Sequence, residues 1–273
     1  MKKHFFKMIE KYYLLIIILI VFFIVNKKYL FGESFTNNIS FVNLVLYSNE
    51  EHYNKMYELT NKYYSKFSNV KTIYYKFDEN IVNDYELRKN ILHIKGKETY
   101  IPGILDKTIK AFQYIIDNNY NFDYVIRSNI STIVDFNLLT LYLQETPIQF
   151  GGGLKNGVTS DKNHPDLENL IFASGTSIIL SKTTLKELLN KKHHIRNDLI
   201  DDVSIGVLMR DYLQNIEQHY IPENRFIFIS DENGERSKIL DIIKDNSYIF
   251  YRNRQSNRKT DIKQMEIIIE YLH

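Results

Sequence analysis

Apolar and polar positions change their period repeatedly along this chain, and the changes mark out alternating strands and helices. Residues 41–47 (FVNLVLY) form a nearly unbroken aliphatic run, the pattern of a strand buried on both faces. Residues 51–67 carry apolar and aromatic positions at helical spacing, residues 71–77 (KTIYYKF) read as a second strand, and 91–94 as a short third before Gly96. Pro102-Gly103 punctuates the chain ahead of an amphipathic helix over 104–116, with Ile109, Phe112, Ile115 and Ile116 on its apolar side. Strands follow over 124–126, 148–152 and 177–180, and helices over 136–143 and 183–189; the 148–152 strand runs into Gly151-Gly152-Gly153. After Asp201-Asp202 comes a helix with Val203, Ile205, Val207, Leu208 and Tyr212, then strands over 226–229 and 248–251 and a last helix over 262–272. This alternation predicts a layered α/β domain over residues 41–273, built on a mainly parallel sheet.

The amino terminus follows a different pattern. Residues 12–26 (YYLLIIILIVFFIVN) carry no charge, with Lys2, Lys3, Lys7 and Lys11 before them and Lys27 and Lys28 after. As a helix this stretch spans roughly 22 Å, short of a hydrocarbon core of about 30 Å, a gap that snorkelling lysines or a thinner bilayer would cover. The expectation is a cytoplasmic tail (1–11), a transmembrane signal anchor (12–26) and a stem (27–40), giving a single-pass type II protein of a Golgi- or ER-like membrane with its N-terminus in the cytoplasm. A cleaved secretory signal is the rival, but no small-x-small cleavage site follows the apolar run.

Composition narrows the chemistry. With 273 residues, 44% apolar, the chain is long enough for a full core, and a net charge of +2 gives no electrostatic case for nucleic acid as a partner. The absence of cysteine excludes thiolate catalysis and Cys-ligated zinc. No P-loop, G-x-G-x-x-G, G-x-S-x-G or H-E-x-x-H pattern occurs. His193-His194 lies in a basic, surface-like stretch and reads as solvated.

The adjacent carboxylates Asp201-Asp202 are the strongest chemical signal. One of them suffices to cap the helix they open, which leaves the second free for chemistry; an acidic helix start favoured by the macrodipole is the plainer reading. A second cluster, Arg252, Arg254, Arg258 and Lys259, follows the 248–251 strand and suits either anion binding or a solvated basic turn.

Four segments, in order, resemble the β-1,3-galactosyltransferase and Fringe group, type II membrane glycosyltransferases of the GT-A fold. Tyr124-Val125-Ile126-Arg127-Ser128-Asn129-Ile130-Ser131-Thr132-Ile133-Val134-Asp135 aligns without a gap to that group's Tyr-Leu-Leu-Lys-Thr-Asp-Asp-Asp-Thr-Phe-Val-Asn. Ala173 to Ser181 matches its Ser-Gly segment, Asp201-Asp202-Val203-Ser204-Ile205-Gly206 its acidic pair, and Lys107-Thr108 its Lys-Thr. The resemblance covers about residues 42–260. It implies inverting transfer from a nucleotide sugar, UDP-linked in that group, to a glycan or other hydroxyl acceptor. Asp202 would be the general base, and Asp201 would cap the helix or orient the acceptor. Ser174, Gly175 and Thr176 would lie beside the sugar, as would Gly151–Gly153 unless they form a plain turn, and residues 46–50 would approach the nucleotide base.

One departure is large. The group's acidic triplet, which holds a divalent ion, aligns with Asn129, Ile130 and Ser131, so a Mn2+ or Mg2+ site is doubtful and no metal ligand is assigned. Arg127, Arg252, Arg254 and Arg258 are the candidates to hold the diphosphate instead. Asp135 reads as the cap of the following helix. Of the two N-x-S sequons, Asn38 lies in the expected stem, and Asn129 lies in the donor site, where a glycan would block binding. A catalytically silent GT-A-like domain that binds glycans or a protein is the alternative function.

Overall fold

A computed structural model describes residues 39–159, 162–231, 233–244, 247–255 and 257–272. The expected tail, anchor and nearly all of the stem, with Asn38, lie outside these residues. Among the described residues no helix is long and apolar enough to cross a membrane.

The chain begins with β1 (Phe41–Leu46), α1 (Glu51–Tyr64), β2 (Val70–Asp78), β3 (Tyr85–Arg88), β4 (Ile91–Lys95), α2 (Gly103–Asp117), β5 (Tyr124–Asn129), β6 (Thr132–Val134) and α3 (Phe136–Glu145). It continues with β7 (Phe150–Gly152), β8 (Lys155–Gly157), β9 (Ile171–Ala173), β10 (Ser177–Ser181), α4 (Lys182–Asn190) and α5 (Asp201–Tyr212). The last elements are β11 (Gln218–Tyr220), β12 (Phe226–Ile229), α6 (Arg236–Ile243), β13 (Phe250–Asn253) and α7 (Arg258–Tyr271).

Eight strands form the main sheet in the order β11-β7-β10-β5-β1-β2-β4-β3. Its centre, β4-β2-β1-β5, is parallel, whereas β10 runs antiparallel between β5 and β7, and β3 is antiparallel to β4. The expected mainly parallel sheet is therefore mixed towards its edges. Burial follows the period-2 geometry of a strand. On β1, Phe41 and Val45 join one core, and Val42 and Leu44 join the other. The first core takes Met56 and Tyr63 of α1, Leu139 of α3, Ile239 of α6 and Met265 of α7. The second takes Phe112 and Ile115 of α2, Leu185 of α4 and Leu208 of α5. Helices thus cover both faces, which is why β1 reads as a continuous apolar run.

Local chemistry explains several element boundaries. Asp135 accepts hydrogen bonds from the backbone N–H groups of Asn137 and Leu138 and caps α3, as its position suggests. Gly151 and Gly152 lie inside β7, where a Cβ would stand 1.6 Å from the His219 carbonyl oxygen and 2.6 Å from the Ser177 carbonyl oxygen respectively. Gly153 packs on the Phe250 ring. The glycine triplet is therefore a packing requirement between strands, and the expectation of a turn or a sugar-facing loop is corrected.

A second sheet, β12-β13-β6, fixes the carboxyl-terminal segment to the middle of the chain. β13 pairs antiparallel with β6 in a register that sets Arg252 opposite Thr132, and the Asn253 N–H donates to the Ser131 carbonyl at 2.9 Å.

Candidate active site

A cleft of about 830 Å³ opens at the carboxyl ends of β1 and β5. Strand order reverses there: the chain moves from β1 towards β2 and β4 on one side, and from β5 towards β10 on the other. In open α/β sheets such a point leaves a crevice between diverging connections, the usual place for a ligand. Antiparallel β10 begins at this same edge, with Ser177 opposite Ser128, so the turn of Ser174, Gly175 and Thr176 faces the end of β5.

Apart from the glycine triplet, the expected catalytic and donor-binding residues reach this cleft. Asp201, Asp202, Arg127, Asn129, Ser131, Ser174, Gly175, Thr176, Arg252, Arg254 and Arg258 all contribute to its wall. Leu46, the last residue of β1, and Tyr47, Ser48 and Glu50 after it also line the cleft. The glycine triplet does not.

The two aspartates have separate surroundings. Ile200 occupies the N-cap of α5 and makes no side-chain cap, so the expected capping by Asp201 is corrected. The Asp201 carboxylate instead pairs with the Arg127 guanidinium at 2.6 Å, with both side chains 2% exposed, and accepts from Thr108 Oγ1 at 3.3 Å. A guanidinium buried in β5 needs a nearby counter-charge, and this need overrides the capping preference. Asp202 faces the cleft. Its Oδ2 accepts from the Gly175 N–H at 2.8 Å and its Oδ1 from the Val203 N–H at 2.9 Å. Burial, and then the charge of Asp201, push the Asp202 carboxyl above the ordinary carboxylate range, although the Gly175 N–H and Arg127 oppose the shift.

Gly175 joins the two systems. Its carbonyl accepts from Arg127 Nη1, and its N–H holds Asp202. A Cβ here would lie 2.8 Å from Arg127 Nη1 and 3.3 Å from Asp202 Oδ2, so only glycine fits between them.

The opposite wall is cationic. Arg252 is 8% exposed and donates from Nη1 to Ser131 Oγ, while its Nε, also buried, has no hydrogen-bond partner. Burial and the neighbouring charges of Arg258, Arg254 and Arg127 push it down to about 10, against the opposing pull of Asp261. Arg258 pairs with Asp261 at 2.7 Å. Arg254 is exposed.

The side chains of residues 129–131 offer a divalent cation no anionic oxygen. Asn129 Oδ1 accepts from Arg127 Nη1 at 2.9 Å, Ser131 Oγ accepts from Arg252, and Ile130 between them is buried. A hard cation seeks anionic or carbonyl oxygens, and the two polar side-chain oxygens at these positions each face a guanidinium.

Two features escaped the sequence. Lys107 Nζ meets Glu98 Oε2 at 2.6 Å and the Tyr47 carbonyl at 3.3 Å. Burial pushes the Lys107 ammonium down despite Glu98. Lys107-Thr108 was visible as a motif, but Glu98 sits in a loop without periodicity. Tyr100 and Phe228 also line the cleft with large exposed rings, which apolar periodicity does not reveal.

No protein-family model matches this sequence, and no curated protein matches it. Among solved structures, the chain is similar to a crystal structure of a glycosyltransferase involved in the glycosylation of the major capsid of PBCV-1. The identity is 12%, the match covers 84% of this chain and 99% of that one, and the TM-score is 0.49.

Proposed function

We propose that this protein is a glycosyltransferase of GT-A type, moving a sugar from a nucleotide-diphosphate donor, UDP-linked by the sequence resemblance, to a hydroxyl of a glycan or other acceptor with inversion. The observation that carries the reading is one cleft with a held carboxylate, Asp202, on one wall and the arginines 252, 254 and 258 on the other.

The acceptor hydroxyl gives its proton to Asp202 as its oxygen bonds to the anomeric carbon. On the opposite face the bond from that carbon to the diphosphate oxygen breaks, and its electron pair leaves with the nucleoside diphosphate. Asp202 is suited to this step because both its oxygens are fixed by backbone N–H groups while a lone pair on each stays free. A base pushed up towards the working pH takes a proton more readily than an ordinary carboxylate. Negative charge grows on the departing phosphate, and guanidinium groups fixed beforehand stabilise it. Asp201, held by Arg127, positions Asp202 and does not take the proton. In this reading residues 12–26 anchor the chain in a membrane, and retention in the membrane fraction after carbonate extraction checks that part.

The test is a screen of the purified chain against nucleotide sugars, scoring transfer and donor hydrolysis for wild type and Asp202→Asn. Turnover by wild type and its loss in the variant, with nucleotide binding intact, is expected. Normal turnover in Asp202→Asn rejects the assignment of the base. Binding without any turnover in wild type moves the protein to the silent, glycan- or protein-binding class.

A further inference from the structure

The wall opposite Asp202 holds more positive charge than its own surroundings neutralise. Arg127 is matched by Asp201, and Arg258 by Asp261. Arg252 has only a neutral hydroxyl acceptor in Ser131, and Arg254 forms no ion pair among the described residues. We propose that Arg252, Arg254 and Arg258 form a diphosphate site that works without a divalent cation, the arginines supplying the positive charge an ion would otherwise bring. The proposal deepens the reading above and rests on its nucleotide-diphosphate ligand.

Three independent observations support it. First, the β13–β6 register and the Asn253 N–H bond to the Ser131 carbonyl hold Arg252 against the segment where a metal-binding triplet would stand. Its reach to Ser131 therefore follows from backbone pairing, not from a free side chain settling on a surface. Second, the Nε of Arg252, more than nine-tenths buried, is left without a partner, although buried polar groups are normally satisfied. A phosphate oxygen is an acceptor that would answer both the missing hydrogen bond and the unmatched charge. Third, Asn129 Oδ1 and Ser131 Oγ accept from Arg127 and Arg252, so a cation placed on these oxygens would have to displace or approach two guanidinium groups.

Guanidinium recognition differs from metal recognition in what it demands. A divalent ion at a phosphate site takes one or two protein carboxylates and fills its shell with water and phosphate oxygens, whereas arginines bind phosphate oxygens directly through planar N–H forks. Residues 129–131, which carry no acidic side chain, and the arginines 252, 254 and 258 are therefore consistent with one another as an anion site.

The experiment is calorimetric titration of inorganic pyrophosphate into the full chain in the presence of EDTA, repeated with Mn2+ in place of the chelator. Saturable binding in EDTA is expected, weakened about 10-fold or more in Arg252→Gln and in Arg254→Gln, since a hydrogen bond to a charged group contributes on the order of such a factor. Lys259→Gln, an exposed change of equal charge outside the cleft wall, should bind as wild type does. Arg254 is exposed, so its variant tests the site without threatening the fold. Binding that appears only with Mn2+, or wild-type binding in both arginine variants, overturns the proposal. Metal-free pyrophosphate binding in a protein that turns over no nucleotide sugar would leave this site standing and remove the transferase reading.

Discussion

Arg127 and Asp201 face each other at 2.6 Å, each 2% exposed, and this buried pair supports the wall on which Asp202 is mounted. Thr108 donates to Asp201 and shares a hydrogen bond with Tyr75, so the pair is tied to α2 and β2 as well as to β5 and α5. Removing one member strands the other charge in the interior. Asp201→Asn and Arg127→Met should each cost about 3–5 kcal/mol in urea-denaturation free energy. The double variant Arg127→Met/Asp201→Leu should recover a large part of that loss, because no charge is left unmatched. Additive losses in the double variant would show that the two residues act separately.

A titration of activity separates the roles of the adjacent aspartates. Asp202 is pushed up by burial and by Asp201, so at acid pH it is the protonated and inactive member. Turnover should therefore rise with pH and reach its plateau above the range of an ordinary carboxylate, measured as kcat across pH 4 to 9. The raised folded-state value also means that ionising Asp202 costs stability. Its contribution is fully present at low pH and is lost as pH rises through the shifted value. In Asp202→Asn, which lacks turnover, this loss of stability with rising pH should disappear from urea denaturation. A wild-type profile that already reaches its plateau within the ordinary carboxylate range would point to another base.

Much of the fold and site was legible in the sequence because the signals were local. The apolar run of β1, the amphipathic face of α2 and the Asp135 cap each depend on residues within a few positions of one another, and each emerges where expected. What was missed depends on distant pairing. β6, β8 and β11 are three residues each, too short for any period, and exist because a partner strand lies beside them. The preference of Asp201 for Arg127 over the helix cap follows from a contact between residues remote in the chain. The glycine triplet illustrates the same limit: glycine signals a turn or a ligand as readily as a crowded strand until its neighbours are known.

That crowding gives a stability test remote from the chemistry. A Cβ on Gly151 would fall 1.6 Å from the carbonyl oxygen of His219, a backbone atom of the adjacent strand β11, so relief requires moving the strand. Gly151→Ala should destabilise by about 3 kcal/mol or more, at or above the upper end of overpacking penalties. Gly157→Ala, where the nearest atom would lie 3.6 Å away, should fall within ~1 kcal/mol of wild type. Equal melting temperatures for the two variants would contradict this packing of β7.

Arg127 and Arg252 are both buried in the cleft wall, yet truncating them should have opposite consequences. Arg127 has its counter-ion, so its loss strands Asp201. Arg252 has a single neutral acceptor, and burial, then the charges of Arg258, Arg254 and Arg127, push its guanidinium down to about 10 against the pull of Asp261. A depression of that size corresponds to roughly 3 kcal/mol against the charged side chain in the folded state. Arg252→Met keeps the aliphatic bulk and removes the repulsion, at the cost of one hydrogen bond to Ser131. The free protein should therefore be as stable as wild type or more stable by about 1–2 kcal/mol in urea denaturation near pH 7. Nucleotide-diphosphate should raise the melting temperature of wild type and leave that of the variant almost unmoved, since stabilisation by a ligand scales with its affinity for the folded state. A variant that loses several kcal/mol with no ligand present would mean that Arg252 serves the fold, and its position in the cleft would then owe nothing to an anion.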